Sequence, residues 1–419
     1  MAFWYDRPAE YSGGLNYLRN LLYALSCLEG CQIEPYIFFG RSVSDDLVRP
    51  FERLATVIRT PVLDRKTTAW FAHKILHRFF GSLLVVQLAI RPFGISIVSH
   101  AAAVYGRRRP FRIVSWIPDF QYLHLPELFP FDSEVSTRRE LRIATQTDVL
   151  VLSSFAALAD FQRIAGEKLA SSVVVLQFVS QPSATGNESQ PSTVDSILQK
   201  YGIRGPYFFL PNQFWKHKNH AVVFAAVKAL KTRGLEVVVV CTGNLRDYRV
   251  RDSRYVDGLV RFIEENNLGK NILILGQINY SDVLCLMRNS VSVINPSQFE
   301  GWSSTVEEAR SMGQRIILSS ITVHLEQNPQ NASYFNPEDP LALADLLADH
   351  WTGGQTGVSE QQASRAAIEL HQRTLAYGRA YAKLIAALDA GLLEKRVYEA
   401  CNQLPEKQAV PNPKNEPTI

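Results

Sequence analysis

Residues Pro296–Gly313 read PSQFEGWSSTVEEARSMG, and the fold is decided around them. Val291–Ile294 just before is a short apolar run of strand type, and a helical pattern begins near Ser304 or Thr305. Glu300 and Gly301 therefore fall in a loop at the carboxyl edge of a sheet, with Glu308 one turn into the helix. The free backbone N–H groups of Ser304, Thr305 and Val306 would project with the positive end of the helix dipole, which suits a phosphate or diphosphate. Carboxylates repel phosphate, so Glu300 and Glu308 need another task. They accept hydrogen bonds well, and the hydroxyls of a sugar or ribose are good donors. Capping competes for the same residues, because Ser304-x-x-Glu307 and Thr305-x-x-Glu308 both have the capping-box spacing and only one box can form. We expect Glu307 to cap through Ser304, leaving Glu308 to the ligand.

The same rhythm extends outward. Downstream lies the strand Arg315–Leu318. Upstream come the strand Tyr207–Leu210, helix His220–Thr232, strand Glu236–Cys241, helix Arg251–Asn266, strand Ile272–Leu275 and helix Ser281–Arg288. The first third repeats the theme. Its strand candidates are Ala2–Tyr5, Ile33–Phe39, Ile95–Ser99, Ile113–Ile117, Asp148–Ser153 and Val173–Phe178. A Ser12-Gly13-Gly14 turn precedes leucines at helical spacing, and a helical pattern runs from Phe155 to Arg163. Between the halves, Gln181–Thr193 is polar and rich in Ser, Pro and Gly, the best domain boundary. The reading is two doubly wound, parallel-sheet α/β domains (1–185 and 194–372) facing a cleft where ligands bind. A helical pattern from Glu360 to about Cys401 follows, its 373–401 part expected to pack back on the first domain. The Pro-rich residues 402–419 are expected to be a disordered tail.

Composition agrees. The chain has 419 residues, more than one core usually serves, and its 46% hydrophobic and 20% charged content excludes a wholly disordered or collagen-like chain. The net charge of +4 is too small to name a partner, and five cysteines, an odd number, give no disulfide framework. A reducing compartment is the natural expectation. Met1–Gly14 does not read as a secretory signal, and the apolar stretch Phe79–Ile90 is too short to span a bilayer. We expect a cytoplasmic protein, soluble or peripheral on the inner face of the cell membrane.

The run FEGWSSTVEEA, with Glu300 and Glu308 at its spacing, resembles the glutamate-seven-residues-glutamate signature of retaining GT-B-fold glycosyltransferases of family 4. The resemblance covers about residues 1–390 and is strongest at 207–220 and 291–326, where SSITVHLEQNP is also similar to the family. It implies a GT-B fold and a metal-independent, hexosyltransferase-like enzyme that moves a sugar from a nucleotide-diphosphate donor to a saccharide or lipid-linked acceptor. Cell-envelope polysaccharide or lipopolysaccharide synthesis is the expected setting. It also implies that Glu308 binds the ribose, Glu300 the donor sugar, and the intervening amides, including those of Gly301, Ser304 and Thr305, the diphosphate. Lys218, in FFLPNQFWKHKNH, resembles the lysine that neutralises the departing diphosphate, where charge develops. Relatives often carry an arginine shortly before it. Here Asn212 and Gln213 stand in that region as neutral donors, which puts more of the load on Lys218 and the helix N-terminus.

In the first domain, the Gly13-Gly14 position resembles the family's glycine-rich loop near the donor diphosphate, with Asn16 and Arg19 close by. WIPDFQYLHLPELF brings Asp119 and His124 to a cleft-facing loop, similar to a family segment beside the donor sugar, although relatives often show histidine where Tyr122 stands. Ser153-Ser154 resembles a serine pair opening a cleft-facing helix, and an N-cap explains one of them equally well. No cofactor is expected: there is no D-x-D pair to seat a metal on the diphosphate and no zinc spacing. Nucleic acid is not expected either, since no reading module accompanies the charge. From Arg65 to Pro118 there are nine basic residues and no acidic one. Within 65–112, Lys66, Lys74 and Arg78 alternate with Trp70, Phe71, Ile75, Phe79 and Phe80 at helical spacing, a pattern for an anionic membrane surface or a solvated helix face. An inactive, membrane-attached sugar-nucleotide scaffold is the alternative outside enzymes. An epimerase or phosphorylase is the alternative within them.

Overall fold

The computed structural model describes residues 1–4, 12–80, 84–101, 109–129, 132–166, 172–182, 193–246, 253–394 and 396–398. Two sheets organise it. The first contains β1 (Ala2–Trp4), β2 (Tyr36–Phe39), β3 (Thr56–Arg59), β4 (Ile97–Ala101), β5 (Arg112–Ile117), β6 (Val149–Leu152), β7 (Ser172–Val175) and β14 (Val397–Tyr398), in the order β14-β7-β6-β5-β4-β1-β2-β3. The second contains β8 (Phe208–Leu210), β9 (Val239–Cys241), β10 (Ile272–Ile274), β11 (Val293–Asn295), β12 (Ile316–Ser319) and β13 (Ala332–Phe335), in the order β10-β9-β8-β11-β12-β13. The neighbouring strands pair in parallel. Runs such as VLVL in β6 are apolar on both faces because helices cover both.

Two doubly wound domains are therefore confirmed, and their topology fixes where a site can form. Chain order reverses at β1, between β2 and β4, and again at β8, between β9 and β11. The crevice outside such a reversal is where open α/β sheets bind ligands. In the second sheet, the loops leaving β8 and β11 are brought side by side by the Val293–Phe209 pairing.

The Glu360–Asp389 helix ties the domains together. Its Tyr377, Tyr381, Leu384 and Leu388 share one core with Leu18, Leu21 and Leu25 of the Ser12–Ser26 helix. Gly378 permits this approach, since a methyl group there would lie 2.5 Å from the Ala24 carbonyl oxygen. The helix ends at Asp389, not near Cys401, because Gly391 turns left-handed at φ 70°. The chain then re-enters the first sheet as β14 beside β7. The expected 402–419 tail and most of the boundary segment lie outside the described residues.

Other expectations shift for local reasons. Gly13 and Gly14 belong to the first turn of the Ser12–Ser26 helix, not to a turn before it, so the helix itself starts at the crevice. β3 escaped notice because its side chains are only half-buried at the sheet edge and lack a strong apolar run.

Candidate functional site

Lys218 ends a short 3-10 turn, Lys216–Lys218, in the loop after β8, and Glu300 lies in the loop after β11. Strand adjacency brings them together, and Lys218 Nζ donates to Glu300 Oε1 at 2.6 Å with both side chains largely buried. Ser297 Oγ stands 2.7 Å from the same Glu300 oxygen and 2.7 Å from Asn295 Oδ1. Burial works to raise the Glu300 carboxyl. The Lys218 ammonium, the nearby His324 and the hydrogen bonds from Lys218 and Ser297 outweigh it and hold the group at about 2. Glu300 is thus a fixed carboxylate. Lys216 is exposed, and Trp215 is half-buried beside His217.

Glu308 is a different carboxylate, although it lies only eight positions along the chain. It is buried and accepts from Tyr280 Oη at 2.7 Å. Burial pushes its carboxyl up to about 7 against the Tyr280 hydrogen bond and the charge of Arg19. Arg19 reaches this point from the first domain, and its charge bears on Tyr280 as well as on Glu308. Burial and the adjacent Glu308 raise the Tyr280 hydroxyl far above its usual range, so it stays protonated and donates. A group near 7 gains its charge where the ligand would ask for an acceptor.

The expected capping box does not form. Ser303, not Ser304, is the N-cap of the Ser304–Met312 helix, and it gives no side-chain cap. Glu307 is instead fully buried and paired with Arg373 of the long interdomain helix, with Gln327 Nε2 3.2 Å from its other oxygen. A capping glutamate must turn back over the helix start, whereas this one is drawn towards a cation on another element. Burial raises the Glu307 carboxyl, opposed by Arg373 and Arg310. The helix start is held from below by a different set of contacts. Asn212 Nδ2 donates to Asn295 Oδ1 (3.0 Å), Asn295 Nδ2 to Ser303 Oγ (2.8 Å), and Thr305 Oγ1 to Asn212 Oδ1 (3.3 Å). Asn212 and Thr305 thus lie in the frame beneath the site, their side chains committed to each other, while Ser304 is exposed at its surface.

His324, within the stretch SSITVHLEQNP, lies near Glu300. It is fully buried, and its Nδ1 donates to the Ser319 carbonyl at 2.9 Å. Its Nε2 has no hydrogen-bond partner. Burial lowers its pKa to about 4, against the pull of Glu300, so the ring is neutral. The sequence reading gives no role to His324, Tyr280, Asn295 or Ser297. For Asn295 and Ser297 the available signal was two polar residues just after the apolar run Val291–Ile294; Tyr280, at the start of a separate helix, carried none.

The first domain meets this wall at two places. A methyl group on Gly301 would stand 2.6 Å from the Pro118 carbonyl oxygen and 2.7 Å from the Asp119 Cβ, so only glycine lets the loops approach. Asp119 Oδ1 accepts from Gln121 N–H at 3.0 Å, an Asx turn that aims the segment. The His124 ring lies 5.1 Å from that of Phe299, and its Nε2 is 2.8 Å from Asp160 Oδ2. Tyr122 is buried in the core and donates to Glu140, away from the cleft loops. Gly13 is exposed with open space around it, and Gly14 is buried on the helix that carries half-buried Asn16 and buried Arg19. Ser154 caps the Phe155–Ala165 helix, and Ser153 accepts from Trp116 Nε1. Glu326 of the second domain takes the N–H groups of Phe155 (2.8 Å) and Ala156 (3.1 Å), a second interdomain contact unassigned from sequence. Deeper in the first crevice, His100 at the end of β4 joins Tyr17 Oη (2.9 Å) and Ser99 Oγ (2.8 Å). Among the described residues, no group of three His, Cys, Asp or Glu side chains is arranged to hold a metal ion.

Residues 195–365 match the family model described as Glycosyl transferases group 1. The chain is similar in structure to HepE of Anabaena solved with UDP and glucose, at a TM-score of 0.67 and 14% identity over 92% of this chain and 99% of that one. It is also similar to a glycosyltransferase from Rickettsia africae (TM-score 0.63, 15% identity, 93% and 97% covered). A third likeness is to sucrose-phosphate synthase from Thermosynechococcus elongatus (TM-score 0.61, 14% identity, 93% and 98% covered). At these identities the structural likeness speaks for the shared fold. Among curated proteins, none matches the sequence.

Proposed function

From the premise that this chain belongs to the glycosyl transferases group 1, family 4 of the GT-B fold, we propose that it is a retaining glycosyltransferase. It moves a sugar from a nucleotide-diphosphate donor to a saccharide or lipid-linked acceptor in cell-envelope polysaccharide or lipopolysaccharide synthesis. The observation that carries this reading is the buried Lys218–Glu300 pair, set beside an uncapped helix N-terminus with Glu308 one turn on. The HepE structures with UDP and with UDP-glucose support a nucleotide-sugar donor.

In this reading the amides of Ser304 and Thr305 hold the diphosphate and Glu308 accepts from the ribose hydroxyls. Lys218 takes the charge that develops on the leaving diphosphate. As it turns to phosphate it releases Glu300 Oε1 to a donor-sugar hydroxyl, so one ion pair is exchanged for two ligand contacts. Asp119 and His124 stand across the cleft at the sugar. Attack by the acceptor hydroxyl on the face from which the diphosphate leaves gives retention, with a leaving-group oxygen taking the acceptor proton. Position and electrostatics then carry the rate more than a dedicated base. The test is a thermal-shift screen of nucleotide-diphosphate sugars, followed by product analysis with the best donor. Stabilisation by a donor with transfer to an acceptor and retained anomeric configuration is the expected result. A panel in which no donor stabilises the protein removes the reading.

A further inference from the structure

We propose that the outer face of the Thr68–Phe80 and Leu84–Ile90 helices is a docking surface for an anionic lipid bilayer. Sequence periodicity suggested one amphipathic helix with a single apolar side. The structure shows that the two helices have two apolar sides. The inner one supplies Ala69, Val85, Val86, Ala89 and Ile90 to the core over β1 and β4. The outer one leaves Phe71, Ile75 and Phe79 exposed at successive i, i+4 positions, Phe79 by 76%, and continues with exposed Leu84 and Leu88 on the next helix. The two helices pack against each other, so these five side chains belong to neighbouring elements of one layer. Folding leaves this face uncovered, and clustered large apolar residues in such a position mark an interaction surface.

Charge selects the occupant. Exposed Arg65, Lys66, Lys74 and Arg91 accompany the ridge, and Lys74 Nζ lies 5.7 Å over the Trp70 ring. The nearest acid in the chain, Asp64, is buried and occupied by the backbone N–H groups of Arg41 and Ser42. No Asp or Glu occurs from Arg65 to Pro118. A second copy meeting this face by two-fold symmetry would set cations against cations. A bilayer with anionic headgroups takes the apolar side chains into its acyl boundary and the cations at its surface. Long basic side chains reach that level while their stems stay apolar. The Thr68–Phe80 helix follows β3 and begins at the carboxyl edge of the sheet, the edge on which the cleft opens. Docking would bring the cleft mouth to the membrane; only this consequence, useful for a lipid-linked acceptor, rests on the transferase reading.

The test is co-sedimentation of the full chain, without donor, with vesicles of phosphatidylcholine or of equal parts phosphatidylcholine and phosphatidylglycerol. We expect binding to the anionic vesicles and much less to the neutral ones. Phe71→Ser combined with Phe79→Ser should reduce the bound fraction about tenfold. Lys66→Glu combined with Lys74→Glu should abolish the preference for anionic lipid. Melting temperatures should not change, since all four side chains are exposed. As a second readout, brominated lipid should quench the fluorescence that is lost in Trp70→Phe. A wild-type chain that stays in solution with both vesicles overturns the proposal, as does a Phe71/Phe79 variant that binds normally. A concentration-dependent dimer that disappears in the same variant also overturns it and gives the face to a second copy. Donor binding is measured separately, so failure here leaves the transferase reading standing.

Discussion

Glu300 and His124 stand on opposite walls of one cleft, and the walls are built on different terms. On the second-domain wall, Glu300, Lys218, Ser297, Asn295, Asn212, Ser303 and Thr305 form one buried polar network. On the first-domain wall, His124 is 41% exposed and held by one carboxylate, and Asp119 is set by a local turn. Buried polar groups must satisfy one another, so the second-domain wall is rigid by necessity. The first-domain wall is open to water and adjusts to what it meets. A diphosphate of fixed shape suits the rigid side, and a sugar that must enter and leave suits the adjustable one.

The comparison breaks first at Lys218. Replacing it by Ala should lower transfer about 10²–10³-fold and also destabilise the fold by leaving the Glu300 carboxylate buried alone. The double variant Lys218→Met with Glu300→Gln removes both charges, and its melting temperature should recover while transfer does not. A Lys218→Ala enzyme with near wild-type turnover in a radioactive-sugar assay rejects the role.

Next in size is Glu307, buried against Arg373. Glu307→Ala should cost about 3–5 kcal/mol of stability by stranding the arginine, read by denaturant unfolding, with donor affinity of the folded fraction unchanged. A variant as stable as wild type would mean that the pair does not clamp the domains.

Glu308 sharpens the comparison within the rigid wall. Glu308→Gln should weaken donor binding about tenfold at neutral pH, since one acceptor oxygen of the ribose contact becomes a donor. Because burial raises its carboxyl to about 7, wild-type affinity for a nucleotide sugar should strengthen as pH rises through that value, and the variant should lose this dependence. Calorimetry across the range checks both, and a flat wild-type profile contradicts the assignment. Stability runs the other way. A carboxyl raised on folding from 4.5 to about 7 makes the protein less stable as pH climbs between those values. Glu300, lowered to about 2, contributes stability that is complete above 4.5 and lost as pH falls towards 2.

The smallest effect is expected at His124. Its half-exposed hydrogen-bond contact with Asp160 is worth about 1 kcal/mol, so His124→Ala should melt near wild type. Transfer should nevertheless fall roughly tenfold, the scale of one lost substrate contact. Unchanged transfer would remove His124 from the site.

Much of this was legible in the sequence. The alternation of apolar runs with helical patterns marked two parallel sheets, and most strand positions held to within a few residues. The Glu300 and Glu308 loop was placed correctly at the carboxyl edge of β11 because a strand, a glycine-bearing loop and a helix start are each local signals. The failures are equally physical. Glu307 looked like a cap because its spacing is local, whereas Arg373 lies 66 positions away and only folding brings it near. Tyr280 and Arg19 gather at Glu308 from separate elements, one of them in the other domain, without any shared motif.

By itself the sequence determined the architecture, the position of the Glu300–Glu308 loop at the carboxyl edge of its sheet and the side on which its carboxylates lie, because propensity, periodicity and turn chemistry act between near neighbours. The tertiary structure alone decided which charges those carboxylates meet. Glu300 faces a lysine and is held ionised. Glu308 faces a tyrosine in a dry setting and titrates near neutrality. Both outcomes depend on burial and distance, and neither quantity is encoded at any single position of the chain.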